Sequence, residues 1–366
     1  MSTEIPVLPD IPHSAKMLAV IEQWDTNSGS HVDNTAKFLY ITLFKSAMDT
    51  AVFYFFCCRF HASFFNMCSL FILLSDSVMV VVMSALWLLG PQLSPVTMCG
   101  FMAYISTMCA ALPVPIVCVG LLDYLVDSNS LSKRRVSCKS LIYTVLALLL
   151  WTFAGVYSFF TTNTEQMVLI YETGVEASTC EVQESFLVTY SLSGLFILVI
   201  LIMVPFRSSI IKWNEEADML SALREENDNQ RSNFFIKTTS TETKSIEGAY
   251  PEEKTEPRPP MWFSLILGFS TFWMPYLTVT TFCQVFGFMI PAYISINLLW
   301  CECINSLVMG AVFWVKSKTF GPYCSQPDNV CLWQVYWHLS KGTWWKTLPA
   351  VVLNPTKGRT QSLLYV

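Results

Sequence analysis

Four ionisable residues interrupt stretches of the chain that are otherwise apolar: Lys45, Asp49, Asp76 and Glu302. A charge in a low-dielectric medium is costly unless a partner satisfies it, so residues of this kind are functional candidates by default. Lys45 and Asp49 are four apart and share one face of any helix that holds them. The chemistry on offer is ion pairing, one ammonium against as many as three carboxylates. A second chemical pair is Cys99 and Cys180. Of the 13 cysteines, these two lie on the side poor in basic residues, where an oxidising compartment would join them as a disulfide. The alternative is two unrelated free thiols. His13, His31, His61 and His338 are scattered without metal-ligand spacing, and no Ser/His/Asp arrangement falls in one region. The expectation is no catalytic residue, no metal and no cofactor.

The elements that must position these residues are long apolar helices. Seven stretches reach the roughly 20 residues that a bilayer crossing requires: residues 38–58, 67–90, 99–122, 141–160, 186–204, 261–286 and 291–315. Continuous apolar runs of this length leave no wet face, so seven buried helices of a soluble protein are excluded. Composition agrees. Of 366 residues, 53% are hydrophobic and 13% charged, against about 25% charged in soluble domains. The mean hydropathy is +0.46. The net charge of −5 and the lack of a basic block exclude a nucleic-acid partner.

Orientation follows from Lys and Arg, which favour the cytoplasmic side. With the amino terminus outside, 19 of the 22 basic residues fall on cytoplasmic segments. The 161–184 connection carries five Glu and no Lys or Arg, whereas the 123–139 connection carries four basic residues. The expected organisation is an extracellular tail (1–36), a bundle (37–320) and a cytoplasmic tail (321–366). No cleavable signal peptide is evident in the first 30 residues. A polar cytoplasmic loop, 206–260, reads as disordered, apart from residues 211–226, which extend the fifth helix. The aromatic residues of the tail, Trp333, Tyr336, Trp337, Trp344 and Trp345, suit an amphipathic segment on the inner membrane surface. Cys324 and Cys331 are then lipidation candidates. Asp123 follows Cys99 by 24 residues, about one membrane thickness of helix at roughly 1.5 Å per residue. Cys99 and Asp123-Tyr124 therefore mark opposite ends of the third span.

Several residues occur in an order that resembles the rhodopsin-like G protein-coupled receptors. They are the Cys99/Cys180 pair, Asp76 in the second span, Trp151 in the fourth, Phe269 and Phe272-Trp273-Met274-Pro275 in the sixth, and Asn305-Ser306 in the seventh. A narrower likeness, to a small orphan group within that family, lies in Leu122-Asp123-Tyr124, in the run from Ile290 to Trp300, and in Lys45. The resemblance covers residues 36–320 and implies an all-α membrane fold, a seven-transmembrane helix bundle of rhodopsin-like type in the plasma membrane. It further implies that Asp49 and Asp76 point inward with Asn305 and Ser306. Phe269, Trp273 and Pro275 would form a switch in the sixth helix, and Asp123 and Tyr124 would face a heterotrimeric G protein.

The departures are informative. Tyr124 stands where the family carries Arg, and Met309-Gly310-Ala311-Val312-Phe313 replaces its Asn-Pro-x-x-Tyr motif. Ser106 stands where amine receptors carry Asp, which argues against a biogenic amine. In many relatives the counterpart of Asp76 helps bind sodium. Here Pro113 and Met309 occupy places where polar ligands are usual, so the Lys45 ammonium is expected to substitute at least partly. Ser106, Tyr276 and Glu302 are the candidate pocket residues. Ten acidic residues on the proposed outer side would steer a cationic ligand or basic peptide inward. The alternative is a merely solubilising surface.

Three functions follow from these features. The first is a receptor that senses an extracellular ligand and signals to G proteins. The second is a binding or regulatory membrane protein of the same fold with weak or no coupling, because Tyr124 carries no permanent cation. The third, a transporter, is disfavoured by the absence of repeated halves and of paired broken spans.

Overall fold

The structure, a computed structural model, describes residues 17–25, 29–56, 63–89, 97–127, 136–162, 167–170, 175–236, 259–320 and 333–341. Among these residues, six helical segments are long and apolar enough to cross a membrane: Phe64–Leu89, Met98–Leu125, Ser140–Thr161, Phe186–Met219, Met261–Val285 and Leu298–Val315. The chain is thus a mostly helical, multi-pass membrane protein. Another long helix, α1 (Thr35–Phe56), has 22 residues but is less apolar, because it contains Lys37, Lys45 and Asp49. The chain divides into two compact units, Met1–Ile197 with Trp273–Val312, and Leu198–Phe272 with Phe313–Val366.

In the first unit, β1 (Met17–Asp25) and β2 (Ser30–Asp33) precede α1, and α2 (Phe64–Leu89) packs along α1. The third span is one crossing, Met98–Leu125, with a local interruption at Leu112 between α3 (Met98–Ala111) and α4 (Pro113–Asp127). The reason is Pro113, which has no amide hydrogen to donate and disturbs the turn around Leu112. Thr97 caps α3, its hydroxyl oxygen accepting from the Gly100 amide at 3.0 Å. The helix α5 (Val136–Thr161) packs on α2 and α3. Then come β3 (Met167–Ile170), β4 (Val175–Val182) and α6 (Phe186–Met203).

The four strands form one antiparallel sheet in the order β2-β1-β4-β3. The sheet adds residues 17–25 and 30–33 of the expected amino-terminal tail to a chain that is otherwise mostly helical, as expected of an all-α membrane protein. β1 buries Ala19 and Ile21 on one face, the period of two that a half-covered strand requires. It pairs with a segment more than 150 residues away, a partner that local composition does not reveal. The sheet is fastened to the helices at its end. The Ala292 amide donates to the Gln183 carbonyl at 2.9 Å, and the Gln183 amide donates to Ser106 Oγ at 3.1 Å.

The expected seventh span, 291–315, is also broken. A short turn, α9 (Ala292–Ser295), is followed by α10 (Leu298–Phe320). Asn297 starts the new helix, its Oδ1 accepting from the Trp300 amide at 2.9 Å.

The second unit contains α7 (Arg207–Ile236), which follows α6 after a 3-10 turn at Val204–Phe206. Within the 206–260 connection the helical extension expected over 211–226 runs further, as far as Ile236; residues 237–258 lie outside the described residues. The helix α8 (Met261–Val285) contains Pro275. The last element is α11 (Trp333–Lys341). The cluster Trp213, Ala217, Phe263, Leu267, Val335, Tyr336 and Leu339 joins α7, α8 and α11 in one apolar core.

Candidate functional site

Three of the four buried charges, Lys45, Asp49 and Asp76, meet at one place in the first unit. Lys45 Nζ lies 2.5 Å from Asp76 Oδ1, an ion pair between α1 and α2 with side-chain exposures of 5% and 3%. Asp49, one turn after Lys45, is fully buried. Its Oδ1 accepts from the Leu298 amide at 3.2 Å. That amide opens α10, so the carboxylate sits at the positive end of a helix dipole, a favourable place for an anion. The Asp49 and Asp76 carboxylates also face one another. Oδ2 of each is buried and has no hydrogen-bond partner among the described residues.

A second polar group lies among α2, α4 and α10. Tyr124 donates to Asn305 Oδ1 at 2.7 Å, and its ring stacks on Phe65. Asn305 Nδ2 donates to Glu302 Oε2 at 3.4 Å, and Ser69 Oγ lies 3.3 Å from Glu302 Oε1. Asp123 takes the Tyr143 hydroxyl at 2.5 Å on one oxygen and the Phe64 amide at 3.4 Å on the other. It thereby ties the start of α2 to α5. Asp123 and Tyr124 both spend their polar atoms on internal bonds.

Sequence reasoning placed Asn305 and Ser306 with Lys45. Asn305 instead bonds to Tyr124 and Glu302, and Ser306 is fully buried. The missed signal was the spacing of Glu302 and Asn305, three residues apart on one helix face.

A cavity of about 80 Å³ opens where α6, α8 and α9 approach one another. Tyr276 lines it, as do Glu184, Thr189, Thr280, Gln284 and Asn297. Ser106 and Glu302 do not. Ser106 donates to the Ala103 carbonyl at 2.9 Å and accepts from Gln183, a fastening role. Glu184 was legible only as one of many outer acids; here its Oε1 accepts from Thr189 Oγ1 at 2.9 Å. Gln284 Nε2 donates to the Thr189 carbonyl at 3.1 Å, and Ser193 bonds to Gln284 Oε1. Above α3, Cys99 and Cys180 are joined as a disulfide with Cα atoms 5.4 Å apart, linking the helix to β4.

Phe269 and Trp273 are buried on α8, and Pro275 follows within the same helix. Trp151 stacks on Phe71 with ring centroids 6.4 Å apart. Tyr336 and Trp337, expected on the membrane surface, are 3% and 4% exposed and packed among helices. Their apolar stripe finds protein rather than lipid, and burial pushes the Tyr336 phenol above its ordinary value. Cys324 and Cys331 lie outside the described residues.

No family model matches the sequence, and no solved structure matches it significantly. A curated human protein, "Probable G-protein coupled receptor 160", is 20% identical over 233 residues. The chain resembles a receptor. The aligned part covers 62% of this chain and 62% of the relative, so the chain spans less than two thirds of the curated protein that it matches. That likeness weighs against an enzyme.

Proposed function

We propose that the chain is a seven-helix receptor of the plasma membrane, amino terminus outside, that senses an extracellular ligand and signals inward through α8. α1 would be the seventh crossing, made tolerable by the Lys45–Asp76 pair. The observation that carries the reading is the cavity of α6, α8 and α9, whose wall is mostly apolar and holds one carboxylate, Glu184. Pockets for whole small molecules measure about 300–1,000 Å³. A volume of about 80 Å³ suits one side chain. With Glu184 on its wall, the fitting occupant is a cationic group at the tip of a peptide. Ligand binding would favour one of two states of α8, hinged at Pro275 next to Trp273.

A second reading is favoured by a specific observation. Tyr124 offers no cation to a G protein, and its hydroxyl is engaged with Asn305. A receptor built in this way would couple weakly and act chiefly by binding or regulation. A G-protein activation panel comparing wild type with Tyr124→Arg separates the two. Signalling by wild type supports the receptor. Silence in wild type with gain in the Arg variant supports the weakly coupled form. Ion flux with neither would overturn both.

A further inference from the structure

The short helix α11 makes an unusual set of contacts for nine residues. Tyr336 Oη lies 3.1 Å from Asn214 Oδ1 on α7 and 3.2 Å from Thr271 Oγ1 on α8. Trp337 meets Phe313 of α10 edge-on, with centroids 5.3 Å apart. Val335, Tyr336 and Leu339 complete the apolar cluster with Trp213, Phe263 and Leu267. One helix thus bridges three others. A free helix needs more than about 12 residues to be even marginally stable in water. α11 has 9, so its helical form and its docking are one event, and release would melt it. The Tyr336 phenol, its ionisation opposed by burial, stays protonated and can donate.

We propose that α11 is an intramolecular clasp, an autoinhibitory segment that pins the amino-terminal half of α8 to α7 and must leave before α8 can move. The clasp is a packing device and exists whether or not the chain signals through G proteins. Its meaning as inhibition rests on the receptor reading. Hinge motion at Pro275 would carry residues 261–272 away from α7. The Tyr336 bonds and the Phe263–Leu339 cluster oppose that motion directly.

Amide hydrogen exchange on the full chain in lipid nanodiscs tests the clasp without ligand or G protein. Leu339→Asp places a carboxylate in the cluster and should expel α11. Exchange in residues 261–272 should then rise about tenfold or more, while α2 and α5 keep their protection. A synthetic peptide of residues 333–341 added in trans should restore protection. Tyr336→Phe keeps the ring and removes both hydrogen bonds, and should give a smaller rise over the same residues. Unchanged protection of residues 261–272 in Leu339→Asp, with α11 itself fully exchanged, would overturn the clasp. If that variant lost protection throughout, Tyr336→Phe and the peptide would decide, and no effect from either would overturn it. A positive exchange result with no rise in basal signalling would leave the clasp standing and count against the receptor reading instead.

Discussion

Lys45 is the residue whose type is hardest to justify by packing alone. An ammonium removed from water loses several kcal/mol of hydration, which only a close counter-charge offsets. Asp76 supplies it at 2.5 Å, and Asp49 stands one turn away on the same helix. Replacing Lys45 by Met keeps the volume and removes the charge, leaving two carboxylates buried and uncompensated. The expected loss is about 3–5 kcal/mol, the usual cost of breaking such a pair. It should be read by thermal unfolding in detergent, and Asp76→Asn added to Lys45→Met should recover part of it. The same single variant should gain a dependence on sodium that wild type lacks, since a small cation could then enter beside Asp76. A Lys45→Met protein with the stability and sodium response of wild type would remove the idea that the ammonium stands in for an ion.

Close helix approach shapes the next level up. Gly120 on α4 lies against Phe65 of α2 so tightly that a Cβ there would collide with the ring. The ring cannot retreat, being fully buried and stacked on Tyr124. Gly120→Ala should therefore destabilise by about 1–3 kcal/mol, as overpacking does, and should disturb the Tyr124–Asn305 bond. Gly120→Ala combined with Phe65→Leu should restore much of the loss in the same thermal assay, and equal melting of Gly120→Ala and wild type would contradict the crowding. No spacing rule pointed to this contact, because residues 65 and 120 come from different helices. The helices themselves were legible, since runs of apolar residues announce a membrane span from within one segment. The sheet was not, because β1 and β4 are mixed in polarity and find their pairing across about half of the bundle sequence. The docking of α11 was missed for a related reason. Its stripe of Val335, Tyr336, Trp337 and Leu339 suits lipid and protein equally, and the deciding partners, Asn214 and Thr271, lie far away in the chain. Among the site residues, Lys45 and Asp76 showed themselves by cost alone, whereas the cavity role of Glu184 depends on three helices converging.

Topology belongs to the whole molecule, and charge asymmetry makes it testable. Basic residues within short loops hold their segments on the cytoplasmic side, each resisting translocation. The bias here has one direction from the first connection to the tail, so the proposed insertion leaves the sheet and the Cys99–Cys180 disulfide outside and α11 inside. α1 decides the parity. Its apolar content falls short of the six spans, and if Lys45 failed to pair it would be poorly held in the bilayer. Epitope tags at the two ends should then behave oppositely in intact cells: the amino-terminal tag stained directly, the carboxy-terminal tag stained only after permeabilisation. Lys45→Met removes the costly ammonium and makes α1 more apolar, so the amino-terminal tag should stay accessible in that variant even as its stability falls. Both tags on one side in wild type would leave six crossings, place the ends of the chain together, and defeat the receptor reading along with the roles given to the cavity and to α8.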